Sequence, residues 1–225
     1  MKPNFMSKRV FNLIIVDESG SMSIIRKQAL IGMNETLETI IKMQEKYPDM
    51  EQRVTLLTFD TGHTDFKFDN VPAKQTRKLH YIEYNPCGGT PLYDAIGLGI
   101  SRVNALTTAD DNVLVTIITD GEENSSCEYN LSMINNLIEK LKKQNWTFTF
   151  IGTDNLDVEG MAHSLGTLNS LRFTQDEEGT KRMFKRERAA RARYCGNVFS
   201  LKAMADGDYF SDDDFSDDDN EDKKS

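Results

Sequence analysis

Asp17-Glu18-Ser19-Gly20-Ser21 sets a carboxylate and two hydroxyls at alternate positions, directly after the apolar run Val10–Val16. Alternate oxygens on a tight turn converge on one point, and Gly20 between the serines lets the backbone fold closely there. A hard cation such as Mg²⁺ takes an octahedron of oxygens, so this turn is a candidate cation loop. The same residues serve equally as caps, Ser21 or Ser23 closing the start of a helix from Ile24. Two later segments offer more oxygens. Gly88-Gly89-Thr90-Pro91 opens a second helix, with Thr90 as a ready N-cap and Pro91 at the first helical position. The β-branched run Val113–Thr119 ends in Asp120-Gly121, an ordinary turn dipeptide and a second carboxylate. A site built mainly from neutral hydroxyls leaves its ion electrophilic, with a coordination position open to a carboxylate from outside. That is the chemistry of recognition rather than of a closed structural ion.

The elements that must carry these loops alternate. Val10–Val16 reads as a strand buried on both faces. A helix follows over Ile24 to Tyr47, with Leu30, Met33, Leu37 and Ile40 on its core side, and Pro48 ends it. Arg53–Phe59 is a strand, Asp60-Thr61-Gly62-His63 a turn, and Thr64–Phe68 an antiparallel return at the sheet edge. A short helix is expected over Ala73–His80 and a stronger one over Pro91–Leu106. Val113–Thr119 and Trp146–Gly152 are strands, with a helix over Tyr129–Gln144 between them. Leu156–Leu165 is helical, Thr167–Phe173 a short strand, and Glu177–Tyr194 the last helix. This alternation predicts an α/β fold, a doubly wound and mostly parallel sheet with one antiparallel edge strand and Rossmann-like crossovers. In such sheets ligands bind beyond the carboxyl ends of the strands at the topological switch point, where the turns at Asp17, Thr90 and Asp120 would meet.

The set Asp17, Ser19, Ser21, then Thr90, then Asp120 resembles the von Willebrand factor type A (vWA) domain family with its metal-ion-dependent adhesion site, whose pattern is DxSxS, then T, then D. The resemblance covers roughly residues 8–195. It implies that Ser19, Ser21 and Thr90 lie nearest a Mg²⁺, with Mn²⁺ or Ca²⁺ as substitutes, and that Asp17 and Asp120 hold it directly or through waters. It also implies a protein partner that completes the coordination with an Asp or Glu. Similar intracellular domains work beside AAA+ ATPases, which makes such an ATPase a candidate partner. The organisation expected is an N-terminal extension over 1–8, a vWA domain over 9–195, and an acidic, disordered tail over 196–225.

Composition bounds the alternatives. The 225 residues carry a net charge of −9 (27 − 36), of which −8 falls in Asp206–Ser225 with its ten acids and two lysines. The remainder is close to neutral, which gives no electrostatic case for nucleic acid. Cys87, Cys127 and Cys195 make no disulfide framework. Neither a signal peptide nor a membrane span is legible, so a cytoplasmic protein is expected. There is no G-x-S-x-G elbow and no phosphate-binding P-loop, and His63, His80 and His163 lack metal-ligand spacing. The enzyme alternative is a metal-dependent hydrolase or phosphatase using the same ion, with Glu18 and Glu122 as nearby bases. A D-x-D phosphatase pattern fails at its third position, which is Ser19.

Two charged segments remain. Lys181 to Arg193 holds seven basic residues against Glu187 alone and reads as a helix with a wide solvated cationic face. The tail then repeats Phe210-Ser211-Asp212-Asp213-Asp214 as Phe215-Ser216-Asp217-Asp218-Asp219. Such a segment is too polar to form a core of its own. Self-engagement is a further expectation, the tail lying on the basic helix or offering an aspartate to the cation loop.

Overall fold

The computed structural model describes residues 8–210, so the N-terminal extension up to residue 7 and the acidic repeat from 211 onward lie outside the described residues. The elements are β1 Lys8–Asp17, α1 Arg26–Lys46, β2 Met50–Phe59, β3 Thr64–Pro72, α2 Leu92–Asn104, β4 Asn112–Thr119, α3 Leu131–Leu141, β5 Trp146–Thr153, α4 Val158–Leu165, β6 Ser170–Phe173 and α5 Glu177–Phe199. The six strands form one sheet in the order β3-β2-β1-β4-β5-β6. All pairs are parallel except β2–β3, which is antiparallel at the edge. The fold is therefore the mostly parallel, doubly wound α/β sheet expected from the alternation of elements.

Side chains alternate across each strand, and both faces are covered. Val10, Ile14 and Val16 of β1 pack with α1 and α5, while Phe11, Leu13 and Ile15 pack with α2, α3 and α4. Leu30, Met33, Leu37 and Ile40 of α1 are all buried, as their spacing requires. α1 and α5 approach closely because Gly32 has no side chain: a Cβ there would lie 2.0 Å from the Phe184 ring.

Three expectations are corrected. No helix forms over Ala73–His80, where only a short 3-10 turn at Ala73–Gln75 is present. Lys74 to Lys78 offer no apolar period to bury, and Asn34 holds the backbone of Leu79 at both its N–H (2.7 Å) and its carbonyl (3.1 Å). The last helix does not stop at Tyr194 but runs to Phe199. The chain then returns over α5, burying Tyr209 and Phe210 in the α1/α5 layer. Residues 196–210 thus contain ordered structure although their composition reads as tail. Asn169 receives the N–H groups of Gly207 (2.8 Å) and Tyr209 (3.1 Å), and Lys142 pairs with Asp206 at 2.7 Å.

The basic stretch of α5 is not simply a solvated face either. Arg191 and Glu187 are fully buried against the middle of the sheet. The Arg191 guanidinium donates to Glu187 Oε1 (2.8 Å), Asn12 Oδ1 (2.6 Å) and Thr116 Oγ1 (2.8 Å). Asn12 in turn donates to Gln52 (3.0 Å), so one polar network ties α5 to β1, β2 and β4. Burial opposes the arginine charge, but the Glu187 carboxylate outweighs that and holds the guanidinium protonated. Removing one member strands the other charge in the core. Arg191→Leu is expected to cost about 3–5 kcal/mol in urea unfolding. Glu187→Leu combined with Arg191→Leu should recover at least half of that loss.

Candidate metal centre

β1 and β4 are neighbours, but their chains leave in different directions, β1 toward β2 and β4 toward β5. This is the switch point of the sheet, and the ends of both strands open into one crevice. Asp17 is the last residue of β1 and Asp120 follows the last residue of β4. Ser19 and Ser21 continue from Asp17 into a 3-10 turn, Gly20–Ile25, before α1. Thr90 lies just ahead of α2.

Main-chain bonds sew the three loops together. Gly20 N–H donates to the Gly88 carbonyl (3.1 Å) and Cys87 N–H to the Glu18 carbonyl (2.9 Å), joining the first loop to the second. Thr90 N–H donates to Asn124 Oδ1 (2.9 Å), and Asn124 N–H returns to the Thr90 carbonyl (3.2 Å), joining the second to the third. Glu123 accepts from Tyr93 N–H (3.0 Å), Ser125 N–H (2.8 Å) and Ser126 N–H (2.7 Å), which fixes the same loop against the start of α2. Asp94 accepts three further N–H groups, from Cys127, Glu128 and Tyr129, at 2.7–2.9 Å. Glu123, Asn124 and Asp94 are thus scaffold to the crevice.

The five expected oxygen donors are close together. Asp17 Oδ1 accepts from Ser19 N–H (2.7 Å) and its Oδ2 from Thr119 Oγ1 (2.6 Å). Ser19 Oγ lies 3.2 Å from Ser21 Oγ, and Ser21 Oγ donates to Asp120 Oδ1 at 2.7 Å. Thr90 Oγ1 borders the same space. A Cβ built on Gly121 would come within 3.1 Å of Thr90 Oγ1 and 3.9 Å of both Asp17 Oδ2 and Ser21 Oγ. Three oxygens from two loops therefore lie within 4 Å of one point that Gly121, on the third loop, leaves free. Among the described residues no group of three His, Cys, Asp or Glu side chains is arranged to hold a metal ion. The crevice has two carboxylates, and any cation in it would depend on the hydroxyls as well.

Electrostatics set this pair of carboxylates apart. Asp17 is fully buried and Asp120 nearly so. Burial raises Asp17 from its ordinary 3.8 to about 6, against hydrogen bonds from Thr119 and Ser19 that favour the charge, and Asp120 adds repulsion. Burial also raises Asp120, against bonds from Ser21 and Gln175. Gln175 was not legible as a site residue. It sits one residue before Asp176, whose side chain caps α5, and its amide Nε2 donates to Asp120 Oδ2 and to the Ser21 carbonyl (3.3 Å). The donor set of two carboxylates and three hydroxyls, with no cationic side chain paired to either carboxylate among the described residues, fits a hard divalent ion. Glu18 is directed elsewhere, to the Asn85 N–H and to Lys67 at 3.7 Å.

An open parallel sheet with its polar groups gathered at the switch point defines a doubly wound binding domain. Residues 13–190 match the family model for the von Willebrand factor type A domain, and the chain belongs to that family. A vWA-type domain from Catenulispora acidiphila superposes with a TM-score of 0.58 at 14% identity, over 85% of this chain and 43% of that one. Proximal thread matrix protein 1 from the mussel byssus gives 0.57 at 14% identity, over 84% of this chain and 46% of that one. The SpRpn10 VWA domain gives 0.53 at 11% identity, over 79% of this chain and 94% of that one. The chain thus spans less than half the length of the first two proteins, and these likenesses speak to the fold. No curated protein matches the sequence. No helix among the described residues is long and apolar enough to cross a membrane.

The raised Asp17 value has a measurable sign. Between about pH 4 and 6 the folded, metal-free protein keeps a proton that the unfolded chain has released, so stability falls as pH rises through that window. The shift is worth about 3 kcal/mol at most. Asp17→Asn removes this titration. Urea unfolding in chelator should show the variant gaining about 2–3 kcal/mol relative to wild type between pH 4 and pH 7, and a constant gap would contradict the assignment.

Proposed function

We propose that this vWA domain is a metal-dependent protein-recognition module, and that the Asp17, Ser19, Ser21, Thr90 and Asp120 crevice is its adhesion site. The observation that carries this reading is the convergence of Thr90 Oγ1, Asp17 Oδ2 and Ser21 Oγ around the space beside Gly121. A Mg²⁺ held there, or Mn²⁺ or Ca²⁺ in its place, would supply a Lewis-acidic point able to accept a carboxylate from outside. The residues do the rest. Asp17 and Asp120 provide charge, the three hydroxyls provide oxygens without neutralising the ion, and the sewn loops hold these groups in place before any partner arrives.

The partner proposed is a protein surface that presents an Asp or Glu. An AAA+ ATPase is one such partner, on the strength of the family resemblance alone. Gln175 gives the site a built-in competitor, because its amide occupies an Asp120 oxygen that a cation would use.

Calorimetric titration of the full chain with Mg²⁺ tests the site. Wild type should bind one ion. Asp120→Ala, which removes a charge, and Gly121→Ala, which fills the space with a methyl but keeps every oxygen, should each weaken binding at least tenfold. Protein captured from lysate by wild type should be lost on adding chelator and lost in Gly121→Ala. Equal Mg²⁺ affinity in wild type and Gly121→Ala would refute the proposed location.

A further inference from the structure

We infer that the second Phe-Ser-Asp-Asp-Asp unit of the acidic tail docks, within the same molecule, in an arginine-rimmed groove between β6 and α5. The groove measures about 290 Å³. Leu171, Phe173 and Met183 line it with apolar surface, and Arg172, Arg182 and Arg186 stand around it, with Asp154 in the lining and Glu159 paired to Arg172. Three guanidinium groups beside apolar surface suit a ligand that joins an aromatic ring to several carboxylates.

The chain itself delivers such a ligand to this place. Phe210, which opens the first unit, is buried in the α1/α5 layer and meets the Tyr209 ring edge-on, with centroids 4.8 Å apart. Its carbonyl accepts from Arg186 at 3.2 Å, and Arg193 donates to the Asp208 carbonyl at 3.1 Å. Arg186 therefore both anchors the last described residue and lines the groove. The residues that follow Phe210 are Ser211-Asp212-Asp213-Asp214-Phe215-Ser216-Asp217-Asp218-Asp219. Five residues reach at most about 17 Å when extended, so Phe215 is confined to the neighbourhood of that exit point. The tether raises its effective concentration at the groove to roughly the millimolar range, and weak exposed ion pairs then suffice for docking. Six aspartates within the reach of three arginines give the contact its sign and make it sensitive to salt.

This location differs from the cation crevice, although the two are adjacent. Thr174 lines the groove and the next residue, Gln175, bonds to Asp120. A tail held in the groove lies beside the proposed adhesion site, not inside it.

Backbone amide NMR of the full chain, without added metal, separates the alternatives. Phe215→Ala, a change outside the folded core, should shift the amides of Leu171–Thr174 and Gly179–Arg186 and leave those of Asp17–Ser21 and Asp120 unmoved. Arg182→Glu, on an exposed position of α5, should move the amides of residues 212–219 toward random-coil values, as should 0.5 M NaCl. The inference is overturned if Phe215→Ala leaves the groove amides unchanged, or if it moves the crevice loops instead, which would put the tail on the cation site. It is equally overturned if the shifts vanish on tenfold dilution, which would put the tail on a second copy.

Discussion

Two carboxylates, Asp17 and Asp120, are buried together where β1 and β4 diverge, and among the described residues no lysine, arginine or histidine pairs with either. Buried charge without a partner is costly, and proteins resolve it by neutralising the group or by binding a counter-ion. The crevice does the first in part, because burial lifts Asp17 to about 6, while hydrogen bonds from Ser19, Thr119, Ser21 and Gln175 act the other way and favour the charged forms. Tyr84 holds the end of β1 in place, donating to the main-chain carbonyl of Asp17 at 2.6 Å. Much of the surrounding structure keeps these two groups close. The strand order sets them side by side, the loop-to-loop bonds bring Thr90 to the same crevice, and Gly121 leaves space beside Thr90, Asp17 and Ser21.

The same sheet carries a second buried charge with the opposite solution. Arg191 enters the core from α5 and finds Glu187, Asn12 and Thr116. This network is internally satisfied and so has structural consequences only. It holds the C-terminal helix in register on the sheet, and the segment just ahead of that helix carries Gln175 to Asp120. The position of α5 and the hydrogen bonding of the crevice are consequently linked through one short stretch of chain, Thr174 to Asp176. A charge paired in the core and a charge pair left open at the crevice mark the difference between scaffold and site.

The sequence makes the fold legible because its signals are local. Continuous apolar runs ending in Asp17 and Thr119, the spacing of Leu30, Met33, Leu37 and Ile40, and the turn at Asp60–His63 each follow from burial of one residue against its near neighbours. The five oxygens are legible for the same reason, since each stands directly after a strand or before a helix. What the sequence hides depends on distant partners. Nothing in the Lys181–Arg193 composition distinguishes Arg191, which is buried, from Arg182, which is exposed. Gln175 has no motif and gains its place only because α5 starts beside Asp120. Glu123 and Asn124 carry no motif, because their partners are main-chain N–H groups some thirty residues away. The acid-rich composition beyond residue 205 likewise conceals Tyr209 and Phe210, two aromatics that find a core elsewhere in the chain.

A crystal of the protein grown with Mn²⁺, read by its anomalous scattering, shows whether the three loops present their oxygens to one divalent ion. One strong peak is expected between the loops, within about 2.0–2.3 Å of Ser19 Oγ and Ser21 Oγ, with the Gln175 amide withdrawn from Asp120. A crevice without such a peak at millimolar Mn²⁺, with Gln175 still bonded to Asp120, would contradict a cation site there.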